Sequence, residues 1–153
     1  MPTIRPAAAA DAETIASFNE AMAVETEGKA LDPATIRAGV GTLLSRPDLG
    51  LYLVAEEDGR VVGQLMITFE WSDWRNGVVW WIQSVYVRPE CRGRGAYRAL
   101  HAHVRSRALS DGGVRGLRLY VERENAAAQA TYRRLGMRET SYRLFEEIWG
   151  GSG

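Results

Sequence analysis

The chain has a single cysteine, Cys91, among its 153 residues. One cysteine excludes an internal disulfide and a thiolate cluster for a metal ion. The two histidines, His101 and His103, would diverge by about 160° around a helix, so they cannot share a metal ion. The sequence therefore predicts no metal site, and it predicts a fold that needs no cross-link.

The chain also has no excess of either charge. It carries 19 acidic and 19 basic side chains, so its formal net charge is zero. A neutral chain lacks a long-range attraction for nucleic acid or an anionic membrane. No apolar run reaches the length of a membrane span, and the first residues lack the order of a secretory signal. We expect a cytoplasmic protein that binds neither nucleic acid nor a membrane.

The length of the chain fits one domain, because 153 residues can bury about two-thirds of the unfolded surface in a single core. We expect this domain to span residues 1–149. The last four residues, Gly150-Gly151-Ser152-Gly153, have the composition of a flexible tail or a cloning scar.

What the sequence does contain is a glycine-rich turn between a hydrophobic strand and a helix, within residues 85–100. Gly93 and Gly95 allow a tight turn and a close approach of the backbone to a ligand. The helix that follows offers unpaired N–H groups and the positive end of its dipole to an anion. Arg92, Arg94 and Arg98 add positive charge. The segment therefore predicts a binding site for a diphosphate.

This turn differs from two common phosphate loops. It has no Lys-Ser or Lys-Thr pair after its second glycine, and it lacks the third glycine of the dinucleotide fingerprint. It resembles motif A of the GCN5-related N-acetyltransferases (GNAT family), Arg/Gln-x-x-Gly-x-Gly/Ala, over Arg92–Tyr97. Tyr97 stands where the family usually has glycine or alanine. Its helical spacing with Leu100 and Val104 predicts that the ring packs toward the core.

A second motif, Glu124–Met137, resembles the family signature Asn-x-x-Ala-x-x-x-Tyr-x-x-x-Gly-Phe/Met. Asn125, Ala128 and Tyr132 share one helical face, so they present an amide, a small gap and a phenol together. Taken singly, Asn125 is typical of a helix cap and Tyr132 of a half-buried aromatic residue. The two motifs at the family's spacing favour a ligand site instead.

The resemblance implies that the chain uses acetyl-CoA as a cosubstrate. It implies that the strand before the turn pairs through its backbone with the pantetheine arm, and that one N–H group polarises the thioester carbonyl. Tyr132 is implied at the thioester sulfur, as general acid or hydrogen-bond donor. The residues implied in acetyl-CoA binding are Val85, Tyr86, Val87, Arg92, Gly93, Arg94, Gly95, Ala96, Tyr97, Arg98, Asn125, Ala128 and Tyr132.

The predicted elements follow the order of the GNAT fold along the whole chain. The resemblance implies an α/β (α+β) domain with a central mixed, mostly antiparallel sheet of six to seven strands flanked by about four helices. The predicted signals are a strand at Thr3–Arg5, helices capped by Asp11 and Asp32, a hairpin at Asp58-Gly59, a strand over 78–87, a helix to Leu109, a strand at Leu117–Val121, a helix from Asn125 to Gly136 and a sheet-completing segment at Met137–Trp149.

An amine acceptor has to lose a proton before it attacks a thioester. For a lysine-like amine of pKa about 10.4, this costs roughly 4.6 kcal/mol near pH 7. Glu70 is the leading candidate for the base, because the apolar surface of Trp71 would raise the pKa of its carboxyl group. The alternative for Glu70 is a solvated turn residue. Gln83 stands where several family members have a glutamate base, and a water chain to Glu25 or Glu27 is the next proposal.

Four of the five tryptophans lie between Trp71 and Trp81. Trp80 and Trp81 fit a core strand, whereas Trp71 and Trp74 fall in a turn, where aromatic faces beside carboxylates attract cations. The position of this turn weakly resembles the acceptor-binding region of polyamine and thialysine acetyltransferases. The predicted acceptor-binding residues are Glu25, Glu27, Glu70, Trp71, Trp74 and Gln83.

The predicted function is direct transfer of an acetyl group from acetyl-CoA to a primary amine, without a covalent acyl-enzyme. A small amine or amino acid is the first acceptor class, and a protein N-terminus or lysine side chain is the second. The alternative is a non-catalytic acyl-CoA-binding module, which Gln83 favours and Tyr132 disfavours. A homodimer is left open.

Overall fold

The computed structural model describes residues 1–150, so positions 151–153 of the predicted tail lie outside the described residues. It contains five strands and four α-helices in this range, with 3₁₀ turns at Ala9–Asp11 and Pro89–Cys91. The elements are β1 (Thr3–Pro6), α1 (Ala12–Glu27), α2 (Pro33–Ser45), β2 (Gly50–Glu57), β3 (Arg60–Ser72), β4 (Gly77–Val87), α3 (Ala96–Ser110), β5 (Val114–Arg118) and α4 (Ala126–Arg134). The chain divides into two compact units, Met1–Tyr120 and the segment from Val121 onward.

The first unit is built on one mixed sheet with the strand order β1-β2-β3-β4-β5. The first four strands are antiparallel neighbours, and β5 runs parallel to β4. The prediction of a mixed, mostly antiparallel sheet is confirmed. The hairpin at Asp58-Gly59 is also confirmed, because both residues have positive φ, 51° and 74°, as a tight two-residue turn requires.

Two predictions about the strands are wrong. Within residues 1–150 the sheet has five strands rather than six or seven, because Met137–Trp149 form none. Apolar residues in that segment fall in adjacent pairs, Leu144-Phe145 and Ile148-Trp149, and so break the alternation that a half-buried strand needs. In addition, β5 begins three residues before the predicted Leu117, since its parallel register with β4 starts at Val78 and Val114.

Helix ends follow local hydrogen bonds. Asp32 caps α2 by accepting from the Thr35 amide at 2.9 Å, and Asn125 caps α4 by accepting from the Ala128 amide at 3.1 Å, as predicted. Asp11 occupies the predicted cap position of α1, but its side chain makes no capping hydrogen bond to that helix. Its carboxylate is occupied by the Arg5 guanidinium, at 2.8 and 3.1 Å, and by the Ala8 amide.

Two hydrophobic clusters cover the faces of the sheet. One joins the sheet to α3 and contains Leu53, Leu65 and Leu100, and Tyr97 packs against it as predicted. The other joins the sheet to α1 and α2 and contains Ile15. Phe18 of α1 meets the Tyr86 ring at 4.9 Å between centroids, so α1 lies over the end of β4. The glycine turn therefore follows a strand that has α3 packed on one face of the sheet and α1 and α2 on the other.

Candidate active site

The glycine turn forms an open concave backbone at the start of α3. Gly93 and Gly95 have φ of 77° and 85°, in the left-handed region that favours glycine. A Cβ atom at either position would meet no atom within 4 Å, so the space in front of the turn is open. α3 makes its first internal bond from Ala99 N–H to Gly95 C=O, so its first turn presents amides and the positive end of the dipole. The turn fits a diphosphate.

The arginines of the turn divide into two kinds. Arg92 is fully engaged: it donates to the Val87 carbonyl at 2.9 Å and to the Glu25 carboxylate at 2.8 Å, and it lies 5.4 Å from the Tyr86 ring centre. It ties the turn to β4 and to the end of α1. Arg94 and Arg98 are exposed and form no ion pair with the described residues, so their charge is available to an anion.

β4 offers an open edge directly before the turn. Its pairing with β5 covers only Val78–Trp81, so residues 82–87 have no β5 partner in the described chain. On the β3 side the register slips: Gln64 faces Tyr86, whereas Met66 faces Gln83. β4 therefore carries one extra residue at Ser84–Val85, where Ser84 has a φ of 51°. The predicted backbone site at Val85, Tyr86 and Val87 lies on this open edge.

The second unit contains the other predicted donor-site residues. Asn125, Ala128 and Tyr132 recur at helical spacing on α4. The oxygen of Asn125 is used in capping, as described above, while Gln129 donates to the carbonyls of Glu122 and Arg123. Burial raises the pKa of the Tyr132 phenol, so the hydroxyl keeps its proton at neutral pH and remains a hydrogen-bond donor.

Glu70 lies in a different environment from the one that the sequence predicts. Its carboxylate accepts from the Trp81 indole N–H at 2.7 Å and from Arg118 at 3.0 and 3.1 Å. These contacts hold the pKa of Glu70 below its usual range, the Trp81 hydrogen bond acting most strongly. The predicted increase in pKa is wrong, because hydrogen bonds to the ionised form outweigh desolvation here and Trp71 is 62% exposed.

Around Glu70 a polar strip crosses the sheet on the side of α1 and α2. Thr68 faces Trp81 in the ladder, and Gln83 donates to the Thr68 hydroxyl at 2.6 Å. The Trp81 and Tyr120 rings lie 5.9 Å apart. We define the acceptor strip as Thr68, Glu70, Trp81, Gln83, Arg118 and Tyr120. Sequence reasoning missed Arg118, Thr68 and Tyr120, since only the β4–β5 pairing and the ladder bring them to Glu70.

The remaining predicted acceptor residues are not part of the acceptor strip. The prediction that Trp71 falls in a turn is wrong, because β3 extends to Ser72 and Trp71 pairs with Val78 of β4. Trp74 does lie in the β3–β4 turn, and the two side chains are 62% and 87% exposed. Glu25 and Glu27 are exposed in the last turn of α1, and Glu25 is paired with Arg92 as described above. Within residues 1–150 no three His, Cys, Asp or Glu side chains are grouped as metal ligands, and no helix there is long and apolar enough to cross a bilayer.

Known proteins resemble this chain in sequence and in fold. Residues 14–137 match the acetyltransferase (GNAT) family. A mycothiol acetyltransferase of Mycolicibacterium gilvum is 38% identical over 92 residues, which cover 57% of this chain and 29% of that protein. A second one, from Mycolicibacterium vanbaalenii, is 38% identical over 95 residues, which cover 59% and 30%. The matched region thus spans less than a third of these curated relatives.

Solved structures match over almost the full length. A possible acetyltransferase from Clostridium difficile 630 is 44% identical, covers 99% of both chains and superposes with a TM-score of 0.91. A predicted acetyltransferase from Clostridium acetobutylicum, solved with acetyl-CoA, is 18% identical, covers 96% of both chains and has a TM-score of 0.78, a likeness of fold. With a glycine turn, an open β4 edge and a family match over 14–137, this chain belongs to the acetyltransferase (GNAT) family.

Proposed function

We propose that this chain transfers the acetyl group of acetyl-CoA directly to the amine of a small acceptor. The observation that carries the proposal is the continuity of two features: an open glycine turn suited to an anion, and a stretch of β4, open on its β5 side, that leads into this turn. A diphosphate with an extended amide-bearing arm is the ligand that both features suit, because the turn takes the charge and the strand edge takes the amides. Coenzyme A has this chemistry.

On this proposal the glycine turn holds the donor by its diphosphate. Gly93, Gly95 and the first amides of α3 bind the phosphates, and Arg94 and Arg98 add charge. Arg92 acts through its ties to Val87 and Glu25, which fix the turn. Val85, Tyr86 and Val87 pair through their backbone with the arm. For Asn125 and Ala128 of the second unit, a contact with acetyl-CoA stays a prediction from the family resemblance. Acetyl-CoA supplies an activated acetyl group.

Tyr132 is proposed to donate to the departing sulfur. Because a thiol has a pKa near 8.5 and a phenol a pKa near 10, transfer of a proton from the phenol to the thiolate costs roughly 2 kcal/mol. Burial raises the pKa of Tyr132, so complete transfer of its proton to the thiolate costs more free energy. A hydrogen bond from the phenol to the thiolate avoids this cost. The role of Tyr132 is therefore to stabilise the thiolate that forms as the acetyl group leaves.

The acceptor strip suits an amphoteric amine. Glu70 and Arg118 place a carboxylate and a guanidinium side by side, 3.0 Å apart and both partly exposed. An amino acid or an amino acid derivative carries the two complementary groups, and the Trp81 and Tyr120 rings offer an apolar wall. Because the pKa of Glu70 is lowered, we assign Glu70 to binding the cationic amine, and the proton leaves to solvent water.

An acceptor screen tests the proposal. The protein is incubated with acetyl-CoA and, separately, cysteine, glucosamine, spermidine and a peptide with a free N-terminus. Released CoA and acetylated product are separated by chromatography and measured, because cysteine carries a thiol of its own. We expect CoA release in step with product, with the highest kcat/KM for cysteine. A preference for spermidine would contradict the role of Arg118, and a preference for the peptide would replace the small acceptor with a protein amine.

One observation favours a second candidate, the non-catalytic acyl-CoA-binding module. Gln83 holds Thr68 and cannot accept a proton, and Glu70 is a weak base. A module of this kind would bind CoA in calorimetry and yet release no thiol with any amine of the screen. A measurable turnover number with any of them excludes it.

A further inference from the structure

Gln64 has a buried side-chain amide whose oxygen makes no hydrogen bond within the described chain. It is 0% exposed in the middle of β3, and its Oε1 is the buried side-chain polar atom that lacks a partner within the described chain. An unsatisfied buried acceptor costs about 1–3 kcal/mol. A methionine of similar size would avoid this cost. The packing of the core gives no reason for an amide here.

The other end of the amide contacts the irregular part of β4. Nε2 of Gln64 donates to the Ser84 carbonyl at 3.1 Å. At this point one residue of β3, Leu65, faces two of β4, Ser84 and Val85, and Ser84 adopts a φ of 51°. A non-glycine residue in the left-handed region costs about 1–2 kcal/mol, so surrounding contacts must hold it there. The Gln64 amide is such a contact.

Gln64 and the acceptor strip share one face of the sheet. Gln64 lies opposite Val54 in the ladder, and Val54 belongs to the cluster under α1 and α2. Tyr86, opposite Gln64 on β4, meets Phe18 of α1 on that same face. The bulge therefore lies where the acceptor strip reaches the open edge of β4, with Gln64 beneath it.

We propose that Gln64 is a positioning residue, which fixes the bulge at Ser84–Val85 and thereby sets the direction of the Val85 amide. The inference rests on the proposed function, because it takes the thioester site at Val85 from there. An amide that is held in place before the reaction stabilises charge that develops on the carbonyl oxygen without reorganising. The unpaired Oε1 is then the cost of placing Nε2 under the bulge.

The variant Gln64→Met tests this inference, because it removes both polar ends and preserves length. It deletes one hydrogen bond and one unsatisfied acceptor together, so the unfolding midpoint should stay within about 4 °C of the parent. With acetyl-CoA and the screened amine of highest kcat/KM, kcat should fall at least about tenfold. The dissociation constant of CoA and the acceptor KM should change less than threefold.

Asn19→Leu is the matched control. Asn19 is also buried, and its amide donates to the Ile15 carbonyl within α1 at 3.0 Å. This variant loses the same type of hydrogen bond without reaching the bulge, and its kcat should equal that of the parent. A Gln64→Met kcat within twofold of the parent would overturn the positioning role, whatever the unfolding midpoint does.

Gln64→Glu provides a second readout, also if Gln64→Met does not fold. Only a protonated carboxyl can donate to the Ser84 carbonyl, and burial raises the pKa of a carboxyl group. The kcat of this variant should therefore fall as pH rises through that raised pKa, a decrease that the parent lacks. A pH profile parallel to that of the parent overturns the inference. A parent that neither binds CoA nor acetylates any amine contradicts the proposed function instead.

Discussion

At the scale of single residues, the chemistry of Glu70 is set by its neighbours. Trp81 and Arg118 both donate to its carboxylate and lower its pKa. A group whose folded-state pKa is depressed stays ionised from neutral pH down to that pKa, and protonates only below it. Glu70 is therefore an anion throughout the range in which an amine acceptor is assayed. Because its lowered pKa makes this anion a weak base, it suits cation binding better than proton abstraction.

Glu70→Gln should raise the acceptor KM about tenfold and change kcat less than threefold, because it removes an ion pair made equally in the ground and transition states. Parent and variant should both gain kcat/KM with rising pH in step with deprotonation of the amine. Steady-state kinetics from pH 6 to 9 measure both effects. Glu56→Gln, which breaks the ion pair between Arg5 of β1 and Glu56 of β2, is the control. A kcat loss that recovers only at high pH would restore Glu70 as the base.

Tyr132→Phe removes one hydroxyl and almost no volume. A donor to the leaving sulfur predicts a fall in kcat of roughly 10²-fold with little change in the dissociation constant of CoA. Kinetics with the best amine and calorimetry with CoA measure the two quantities. Tyr142→Phe, at an exposed tyrosine of the same unit, should behave as the parent. An unchanged kcat in Tyr132→Phe would remove the phenol from the mechanism.

At the scale of elements, the glycine turn and the open edge of β4 are proposed to form one site. Gly95→Val should weaken CoA binding at least about tenfold, since a side chain would enter the open space in front of the turn and strain a φ of 85°. Calorimetry with CoA measures the affinity. Gly59→Val, at a hairpin glycine with a φ of 74° and equal space, carries the strain alone and should bind CoA as the parent does. Equal affinities in the two variants would reduce Gly95 to an ordinary turn residue.

Local signals in the sequence predict some elements and miss others, for physical reasons. The Asp32 cap and the Asp58-Gly59 turn depend on neighbours within four residues, and both are confirmed. The bulge at Ser84 contains no glycine, so no local signal in the sequence predicts it. It is contacted instead by a side chain from another strand, Gln64. Arg118 reaches Glu70 across 48 positions through the parallel register of β4 and β5. No pattern within either strand could indicate that contact.

At the scale of the whole molecule, the proposed binding of acetyl-CoA depends on local rather than net charge. The chain is neutral overall, yet Arg94 and Arg98 stand unpaired among the described residues beside the glycine turn. The proposed donor site is thus a small cationic region on a chain whose net charge is zero. Such a site attracts a polyanion only at short range, within about 8–10 Å at physiological salt.

Titration calorimetry with CoA tests the central claim most directly, because the turn and the open β4 edge together are proposed to bind that molecule. We predict saturation of one site per chain, and stabilisation of the fold by about 2.7 kcal/mol at a hundredfold excess over the dissociation constant. ATP, which carries phosphates without a pantetheine arm, should bind at least about tenfold more weakly, since it cannot pair with the strand edge. Saturation by ATP with no binding of CoA would contradict the account.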